Sequence, residues 1–524
     1  MRLLPAALLL TLAATPLAGQ SRDWSPHDRL IIGDFTRITS VAAAQDRVYI
    51  TSPSALLVWN PLFRRWEGPF QPDDPNILPR VFISLVDPLD NSLWLARLDG
   101  WVHYNPDLRV WDQGAVSTAV REIAFDLDAP GSGLFIRTSA GWMVVPRGGL
   151  SAVPASPPSR PLRPLSVQDA LQANPTLLSN SSQILLDNQL NQSRYTAAAR
   201  SLDGLGWYLG TWGSGLLYLS DGAALPDRLT FGLPGSIAGS VMTAPGGVWV
   251  ATEQDGPQTG PALTFAATDL SEFRWLQGQR AFGYPFHQIR RIRAYGQELW
   301  AATDAGAARI NPQTGDVQLL DTGSGLPDQL VFDLTIRRGV TAFATGRGVA
   351  LMREGSVQRA APDFADPAYA VALSQNTDTL WVGTGAGVRI AVEGESRLVL
   401  PMELRTIAAL AEPVVALGWV ADTLVGVTQD RVIWREAKTR TWWPGPTLSP
   451  MLGRLHAFVA DGSGVWVAGE RGVGFSLFNA MPIRVLSNPG DLPGEPLDLA
   501  IDEQYLWVAT RGGLVRFRLD AIRP

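Results

Sequence analysis

Three arginines stand close together in the segment 287–295, where such side chains could bind acidic groups. Arg290, Arg291 and Arg293 occupy positions that carry apolar or acidic residues in the other copies of the repeat described below, and Tyr295 ends the segment. A guanidinium offers a planar fork of donors that matches a carboxylate or an acidic sugar. We predict a ligand site at these four residues. Pairing of the arginines with acidic residues of neighbouring repeats is the alternative.

Other chemical signals are weak. Cysteine is absent, which excludes disulfides, thiol catalysis and cysteine-ligated metals. The four histidines are scattered without a zinc-binding spacing, and no nucleophile elbow or phosphate-binding glycine loop is present. Two acidic turns, at 126–133 and 461–464, resemble calcium loops but suit hairpin turns better. We therefore expect no metal and no cofactor. A carboxylate pair brought together from distant repeats stays open as a catalytic alternative.

The composition bounds what the chain can be. Of its 524 residues, 46% are hydrophobic and 18% are charged, so the chain can build a core. The 51 glycines and 39 prolines favour many short strands joined by turns. The net charge of −6 gives no basic excess, which argues against a nucleic-acid partner.

One sequence pattern recurs along the chain, and the strands that it predicts must position any functional site. It consists of an apolar residue, tryptophan, two small or branched residues, threonine, a short turn with glycine and a second apolar strand. Clear copies are Leu506–Thr510 with Gly513, Leu380–Thr384 with Gly387, and Leu299–Thr303 with Gly306. Eleven copies recur at about 42 residues, the length of one four-stranded propeller blade. Both faces of the tryptophan strand are apolar, as a sheet packed between two neighbours requires.

The predicted fold is therefore an all-β propeller of about eleven four-stranded blades. Blades 1–3 are expected within residues 27–156 and blades 4–11 within 195–524. Two rings of five to seven blades, nested or consecutive, are the preferred arrangement, with the boundary between them undetermined. The last blade has only three strands, and segment 28–35 precedes blade 1 without a partner of its own. We predict that 28–35 supplies the missing strand and removes an exposed edge.

Two insertions and several turn residues suggest a working face. Residues 157–194 form a proline-rich, helical insertion: Ser166 and Asp169 make a capping box, and a second apolar-periodic stretch runs from 175 to 190. A second excursion spans 253–260. Both open on one end of a propeller, where loops commonly carry function, although tolerated insertion is the alternative. Blade-turn residues predicted to face the same end are Trp212, Asp304, Arg347, Arg471 and Arg511.

The N-terminus reads as a targeting segment. Met1-Arg2 is followed by an apolar run and then by Ala18-Gly19. This pattern predicts a secretory signal peptide over residues 1–19, and no later segment is apolar enough to span a membrane. We therefore expect a periplasmic or secreted protein with no membrane span in the mature chain.

The repeat resembles that of the two-component-regulator propeller family. Family repeats contain a Leu-Trp-Ile-Gly-Thr-x-x-Gly-Leu core and a Leu-Pro connector, matched here by 380–387 and by Leu326-Pro327. The resemblance implies an extracytoplasmic propeller, commonly with two rings, that recognises a glycan. Because no kinase follows the last blade, we expect the fold and a non-catalytic binding role, for a glycan or other envelope ligand, to carry over, and we expect signalling not to. A scaffold for an envelope protein complex and an exported polysaccharide lyase or hydrolase are the alternatives.

Overall fold

The computed structural model contains eleven antiparallel sheets among the residues that it describes. It describes Ser25 and residues 28–523 apart from 73, 75, 175–183, 187–191, 224, 254–259, 278–283, 376–377, 393, 406, 408–409 and 437. The predicted signal peptide lies outside the described residues, as does almost all of the excursion at 253–260. None of the helices in this described part has the length and apolar character that crossing a bilayer requires.

Four blades follow an N-terminal strand, β1 (Arg29–Ile32). Blade 1 contains β2 (Ser40–Ala43), β3 (Val48–Thr51), β4 (Leu56–Asn60) and β5 (Arg65–Phe70). Blade 2 contains β6 (Val81–Val86), β7 (Leu93–Arg97), β8 (Gly100–Asn105) and β9 (Val110–Ala115). Blade 3 contains β10 (Val120–Asp126), β11 (Leu134–Thr138), β12 (Gly141–Val145), β13 (Val153–Pro154) and β14 (Pro161–Leu162). Blade 4 contains β15 (Ile184–Leu186), β16 (Gln192–Arg200), β17 (Gly206–Trp212), β18 (Leu216–Ser220) and β19 (Asp227–Leu229).

Seven further blades complete the chain. Blades 5 and 6 contain β20 (Ile237–Ala244), β21 (Gly247–Glu253), β22 (Ala262–Ala267) and β23 (Phe273–Leu276), then β24 (Ile289–Tyr295), β25 (Glu298–Thr303), β26 (Ala307–Ile310) and β27 (Val317–Leu320). Blades 7 and 8 contain β28 (Val331–Arg337), β29 (Val340–Thr345), β30 (Gly348–Arg353) and β31 (Ser356–Ala360), then β32 (Ala368–Leu373), β33 (Thr379–Thr384) and β34 (Gly387–Val392). Blades 9 and 10 contain β35 (Val414–Val420), β36 (Thr423–Thr428), β37 (Arg431–Arg435) and β38 (Trp442–Thr447), then β39 (Leu455–Asp461), β40 (Gly464–Gly469), β41 (Gly472–Ser476) and β42 (Arg484–Ser487). Blade 11 contains β43 (Pro496–Ile501), β44 (Tyr505–Thr510) and β45 (Gly513–Arg518).

The helices are short. They are α1 (Val167–Ala173), α2 (Ser449–Leu452), α3 (Leu519–Ile522) and the 3-10 turns Leu78–Arg80, Pro130–Ser132, Thr322–Ser324 and Met402–Leu404.

The innermost strands of blades 5 to 11 form a closed ring. Each packs against its predecessor from β20 to β43, and β43 then packs against β20. In the other unit, β16, β2, β6 and β10 lie side by side, so the order of blades is 4, 1, 2, 3. The expectation of two rings of five to seven blades was thus wrong for the first unit, which has four. Repeat counting gives the number of blades but not which inner strands meet.

The last blade receives its fourth strand from the N-terminus. β1 pairs antiparallel with β45, with Arg29 opposite Phe517 and Ile32 opposite Leu514. The Arg29 side chain also donates to the carbonyl oxygens of Gly490 and Asp491, at 3.0 and 2.9 Å. The first strand and the last sheet therefore lie together, and the four-bladed unit is inserted between them.

The repeated motif has a clear physical role. In β44 the Trp507 side chain is fully buried, and its Nε1 donates to Asp502 at 2.8 Å. The Thr510 hydroxyl donates to the carbonyl of Gly513 at 2.7 Å, which closes the following turn. Gly513 has φ +119, and a Cβ there would lie 2.6 Å from the Ile32 carbonyl oxygen. The motif thus combines a core residue, a turn clamp and a close approach between strands.

The insertion between blades 3 and 4 is only partly helical. Helix α1 has the expected capping box at Ser166 and Asp169 and packs on blade 4 through Ala170. The helix expected over 175–190 was wrong at Ile184–Leu186, which is strand β15 paired with β16. Three consecutive apolar residues next to a free strand edge favour pairing over the helical period. The remainder of that stretch lies outside the described residues.

One core joins the two units. Its members include Phe35 and Ile38 from the segment after β1, Leu233 from the connector before β20, and Trp507 from blade 11. Phe35 and Phe231 meet edge-to-face with ring centroids 5.3 Å apart. The units are therefore packed together rather than joined by a free linker.

Candidate functional site

The inner strand of each blade in the closed ring contains a β-bulge near its start. The register shifts by one residue at Gly239, Arg290, Phe332, Tyr369, Val415, His456 and Leu497. Each inner strand begins just after the connector from the previous blade, so these residues lie at the same end of the ring. Bulges redirect side chains and are frequent near functional sites. We call these seven residues the channel mouth.

Three consecutive blades present a cation and two aromatic rings at the mouth. The Arg290 guanidinium lies 5.4 Å from the centroid of the Phe332 ring. Phe332 in turn lies 5.5 Å from Tyr369, centroid to centroid. All three side chains are partly exposed. Among the described residues, Arg290 Nε is buried without a hydrogen-bond partner. The mouth thus offers an apolar aromatic surface beside a guanidinium.

The other two predicted arginines line the channel below the mouth and are neutralised there. Arg291 is ion-paired with Asp498, and its Nε lies 3.9 Å from Asp333. Arg293 lies 3.6 Å from the same Asp333 carboxylate. Asp498 also accepts hydrogen bonds from Ser240 Oγ at 2.6 Å and from the Val241 amide. Blades 5, 6, 7 and 11 are thereby connected, and the arrangement is the pairing alternative stated above.

Burial sets the ionisation of this cluster. Removal from water raises the pKa of Asp333 above its usual value, although both arginines act to lower it. Burial would lower the pKa of Arg291, but Asp498 and Asp333 overcome that effect and raise it. Arg291 therefore stays charged beside Asp498 and Asp333. The cavity of about 290 Å³ is lined by these three side chains and by Arg293, so the positive and negative charges in its wall balance.

Four of the five predicted turn residues contact the connectors that lead into their own blades, and Trp212 contacts the segment before blade 1. Asp304 accepts from the amides of His287 and Gln288 at 2.9 and 3.1 Å, and Arg471 donates to the Ser449 and Pro450 carbonyls at 2.7 and 2.9 Å. The remaining three are placed as follows: Arg347 lies 3.5 Å from Asp328, Arg511 lies 2.7 Å from Glu495, and Trp212 lies beneath Arg37 at 5.9 Å. The turns connecting second and third strands lie at the same end as the mouth, but these side chains already have partners.

Tyr295 lies away from the other predicted residues. It is the last residue of β24 and is 42% exposed at the opposite end of the ring. Arg290 lies near the start of β24 and Tyr295 at its end, and the strand runs from the mouth to the opposite end of the ring. Phe332 and Tyr369 were missed by sequence reasoning. Each is an aromatic residue at the second position of its inner strand, and this pattern could have identified them from the sequence.

A cavity lies between blades 5 and 6, at the end opposite the mouth. It has a volume of about 720 Å³. Arg274 lines it, stacked over Trp249 at 5.5 Å and Phe265 at 5.3 Å. The Arg309 and Glu298 side chains form an ion pair at its edge. Most of its polar groups are therefore engaged with one another.

The acidic turns and the histidines also have local partners. Asp126 accepts amide hydrogens from Ser159 at 2.7 Å and Arg160 at 3.0 Å, which fixes the start of the insertion. His103 lies 3.5 Å from Asp112, whereas His456 contacts two backbone carbonyls. In the part of the chain that the structure describes, no three carboxylate or imidazole groups come close enough to bind a metal ion.

No protein-family model matches this chain, and no curated protein is significantly similar to it in sequence. Several solved structures are similar to this chain at low identity. The extracellular domain of the B. thetaiotaomicron protein BT3049, described as a hybrid two-component system, is 14% identical with a TM-score of 0.43, covering 91% of this chain and 60% of that domain. That of BT4673, similarly described, is 12% identical with a TM-score of 0.40, covering 92% and 70%. Virginiamycin B lyase from Staphylococcus aureus is 14% identical with a TM-score of 0.42, covering 54% and 95%. The chain spans three fifths of the first of these structures. The molecule itself, with inner strands closing a seven-bladed ring beside a four-bladed unit, is a β-propeller protein.

Proposed function

We propose that this protein is an exported, non-catalytic binding module that recognises a glycan at the channel mouth. The observation that carries the proposal is the row of Arg290, Phe332 and Tyr369 across three blades. The C–H face of a sugar ring packs on aromatic faces, and a guanidinium binds carboxylates in a bidentate manner. A saccharide carrying a carboxylate, such as a uronic-acid unit, fits this pair of features.

Two further observations favour the mouth over other parts of the channel. Among the described residues Arg290 forms no ion pair, and its side chain is partly exposed beside Phe332, so its guanidinium can bind a ligand carboxylate without displacing a carboxylate of the protein. Arg291 and Arg293 are paired with Asp333 and Asp498, so their charge is already compensated. In this proposal the lower channel holds the blades together and the mouth binds the ligand.

The test is thermal unfolding and calorimetric titration of the mature protein with neutral and uronate-containing oligosaccharides. A ligand at 100 times its Kd stabilises the folded state by about 2.7 kcal/mol. We expect binding of an acidic oligosaccharide, weakened about tenfold or more by Arg290→Gln and also weakened by Phe332→Leu. The matched control is Arg347→Gln, because Arg347 lies at the same end of the ring and is exposed.

Three results would contradict the proposal. Absence of binding across the panel would reject a glycan ligand. Binding that survives both mouth variants would move the site elsewhere. Shortened oligosaccharides in the product mixture would show that the protein is an enzyme, a lyase or a hydrolase.

A further inference from the structure

Two equivalent turns in the four-bladed unit present apolar and basic side chains to solvent. They join the third and fourth strands of blades 1 and 2, at residues 60–64 and 105–109. In the first, Asn60 Oδ1 accepts from the amides of Leu62 and Phe63 at 3.1 and 3.2 Å. In the second, Asn105 Oδ1 accepts from the amides of Asp107 and Leu108 at 3.0 and 3.1 Å, and Asp107 is itself exposed. The backbone of the two turns is therefore the same.

The tips of these turns are highly exposed. Leu62, Phe63 and Leu108 are 76%, 70% and 72% exposed. The next residue in each turn is an arginine with positive φ, +49 at Arg64 and +55 at Arg109. Both arginines are exposed. We call residues 62–64 and 108–109 the paired tips.

The turn itself does not require these side chains. Blade 6 contains the same turn, in which Asn311 Oδ1 accepts from the amides of Gln313 and Thr314 at 2.8 and 3.3 Å. There the apolar position is Thr314 and the left-handed position is Gly315, with φ +75. Glycine adopts this conformation without steric cost, whereas arginine is strained in it. The paired tips thus contain two energetically unfavourable features, exposed apolar side chains and arginines with left-handed backbone. The turn of blade 6 has neither.

The paired tips lie on the same end of neighbouring blades. Strand β2 packs against β6, and Tyr49 Oη donates to the Asn91 carbonyl at 2.9 Å across the seam. Turns between third and fourth strands lie at the same end as the turns between first and second strands, where Asn91 is found. Among the described residues, no carboxylate lies within ion-pair distance of Arg64 or Arg109. The Arg109 guanidinium instead lies 5.5 Å from the Phe70 ring.

We propose that the paired tips dock this protein on a lipid bilayer surface that carries anionic headgroups. The leucine and phenylalanine side chains enter the boundary between headgroups and acyl chains, and the guanidinium groups of Arg64 and Arg109 bind lipid phosphates. The apolar side chains stand on two separate, highly exposed turns. Two separate apolar turns can each insert into a fluid bilayer without a fixed spacing between them. A folded protein partner would instead need one contiguous surface complementary to both turns.

The experiment is sedimentation of the mature protein with phosphatidylcholine vesicles, with and without about one third phosphatidylglycerol. Two double variants copy the blade 6 turn. Phe63→Thr with Leu108→Thr removes the apolar tips, and Arg64→Gly with Arg109→Gly removes the charges while relieving the backbone. The control is Met402→Thr, because Met402 is equally exposed, at 75%, but lies in the seven-bladed ring.

We expect binding to the anionic vesicles, reduced about tenfold or more by the threonine pair. The glycine pair should abolish the preference for anionic over neutral vesicles, and raised salt should have the same effect on the unmodified protein. The proposal is overturned if the unmodified protein stays in the supernatant, if both double variants sediment like it, or if Met402→Thr reduces binding equally. Because the channel mouth is untouched by these variants, loss of vesicle binding with retained saccharide binding separates this inference from the proposed function.

Discussion

Replacing Asp498 by asparagine tests the seam at which the seven-bladed ring closes. The Asp498 side chain is 2% exposed, joins blade 11 to Ser240 and Val241 of blade 5, and is ion-paired with Arg291 of blade 6. Removing one partner of a buried ion pair costs about 3–5 kcal/mol. Asparagine keeps one acceptor oxygen, and Arg291 keeps Asp333 at 3.9 Å. We therefore expect Asp498→Asn to lower the free energy of unfolding by about 3 kcal/mol, at the low end of that range.

The assay is urea unfolding combined with hydrogen exchange of the β43 amides, which reports opening at the seam itself. The companion variant is Arg291→Met, alone and together with Asp498→Asn. With both charges removed, much of the lost stability should return, giving a coupling energy of about 2 kcal/mol between the two sites. A loss below about 1 kcal/mol with additive effects would refute the reasoning. It would mean that backbone packing of β43 on β20 closes the ring without the ion pair.

Three further predictions follow from contacts described above. Trp507→Ala should destabilise the ring by about 3–5 kcal/mol, because a fully buried indole is lost and Asp502 Oδ2 loses the indole donor. Thermal unfolding measures this loss, and a loss below about 1 kcal/mol would contradict the prediction. Arg511→Ala should change stability by less than about 1 kcal/mol in the same assay, since its ion pair with a glutamate is exposed. The Asp126 pKa is lowered, chiefly by the backbone amide of Ser159, so its clamp on the insertion stabilises at pH values above the unfolded pKa of about 3.9 and is lost as pH falls through the lower folded value. Limited proteolysis within 155–165 should therefore accelerate in acid, and Asp126→Asn should accelerate it already at neutral pH; equal cleavage rates in the two proteins would argue against the clamp.

The repeat made the blades predictable, because its core residue, its turn clamp and its glycine are all local in sequence. Trp507, Thr510 and Gly513 need only their own hairpin to be recognised. Which blades meet was not predictable, since the ring depends on inner-strand contacts such as that of β43 with β20. Those contacts join residues that are far apart in sequence, such as Ser240 of β20 and Asp498 of β43.

The candidate site was predictable only in part. The sequence identified the arginines of β24. The bulge at Arg290, which directs its side chain away from that of Arg291, could not be predicted from the residues around it. It sends one guanidinium to an aromatic surface and leaves the next in a buried ion pair. In the sequence Phe332 and Tyr369 resemble ordinary strand residues. Their side chains lie at the mouth only because the bulge of each inner strand falls at these two positions.

The pairing of β1 with β45 also constrains how the protein can be made. Synthesis proceeds from the N-terminus at about 5–20 residues per second, so β1 leaves the ribosome roughly half a minute or more before β45 exists. The four-bladed unit between them can complete its sheets during that interval, whereas the seven-bladed ring cannot close until its last sheet arrives. During this delay β1 carries unpaired backbone groups, and any other exposed strand edge competes for it. Slow growth of the chain therefore favours an intermediate in which four of the eleven blades are folded while β1 is still unpaired.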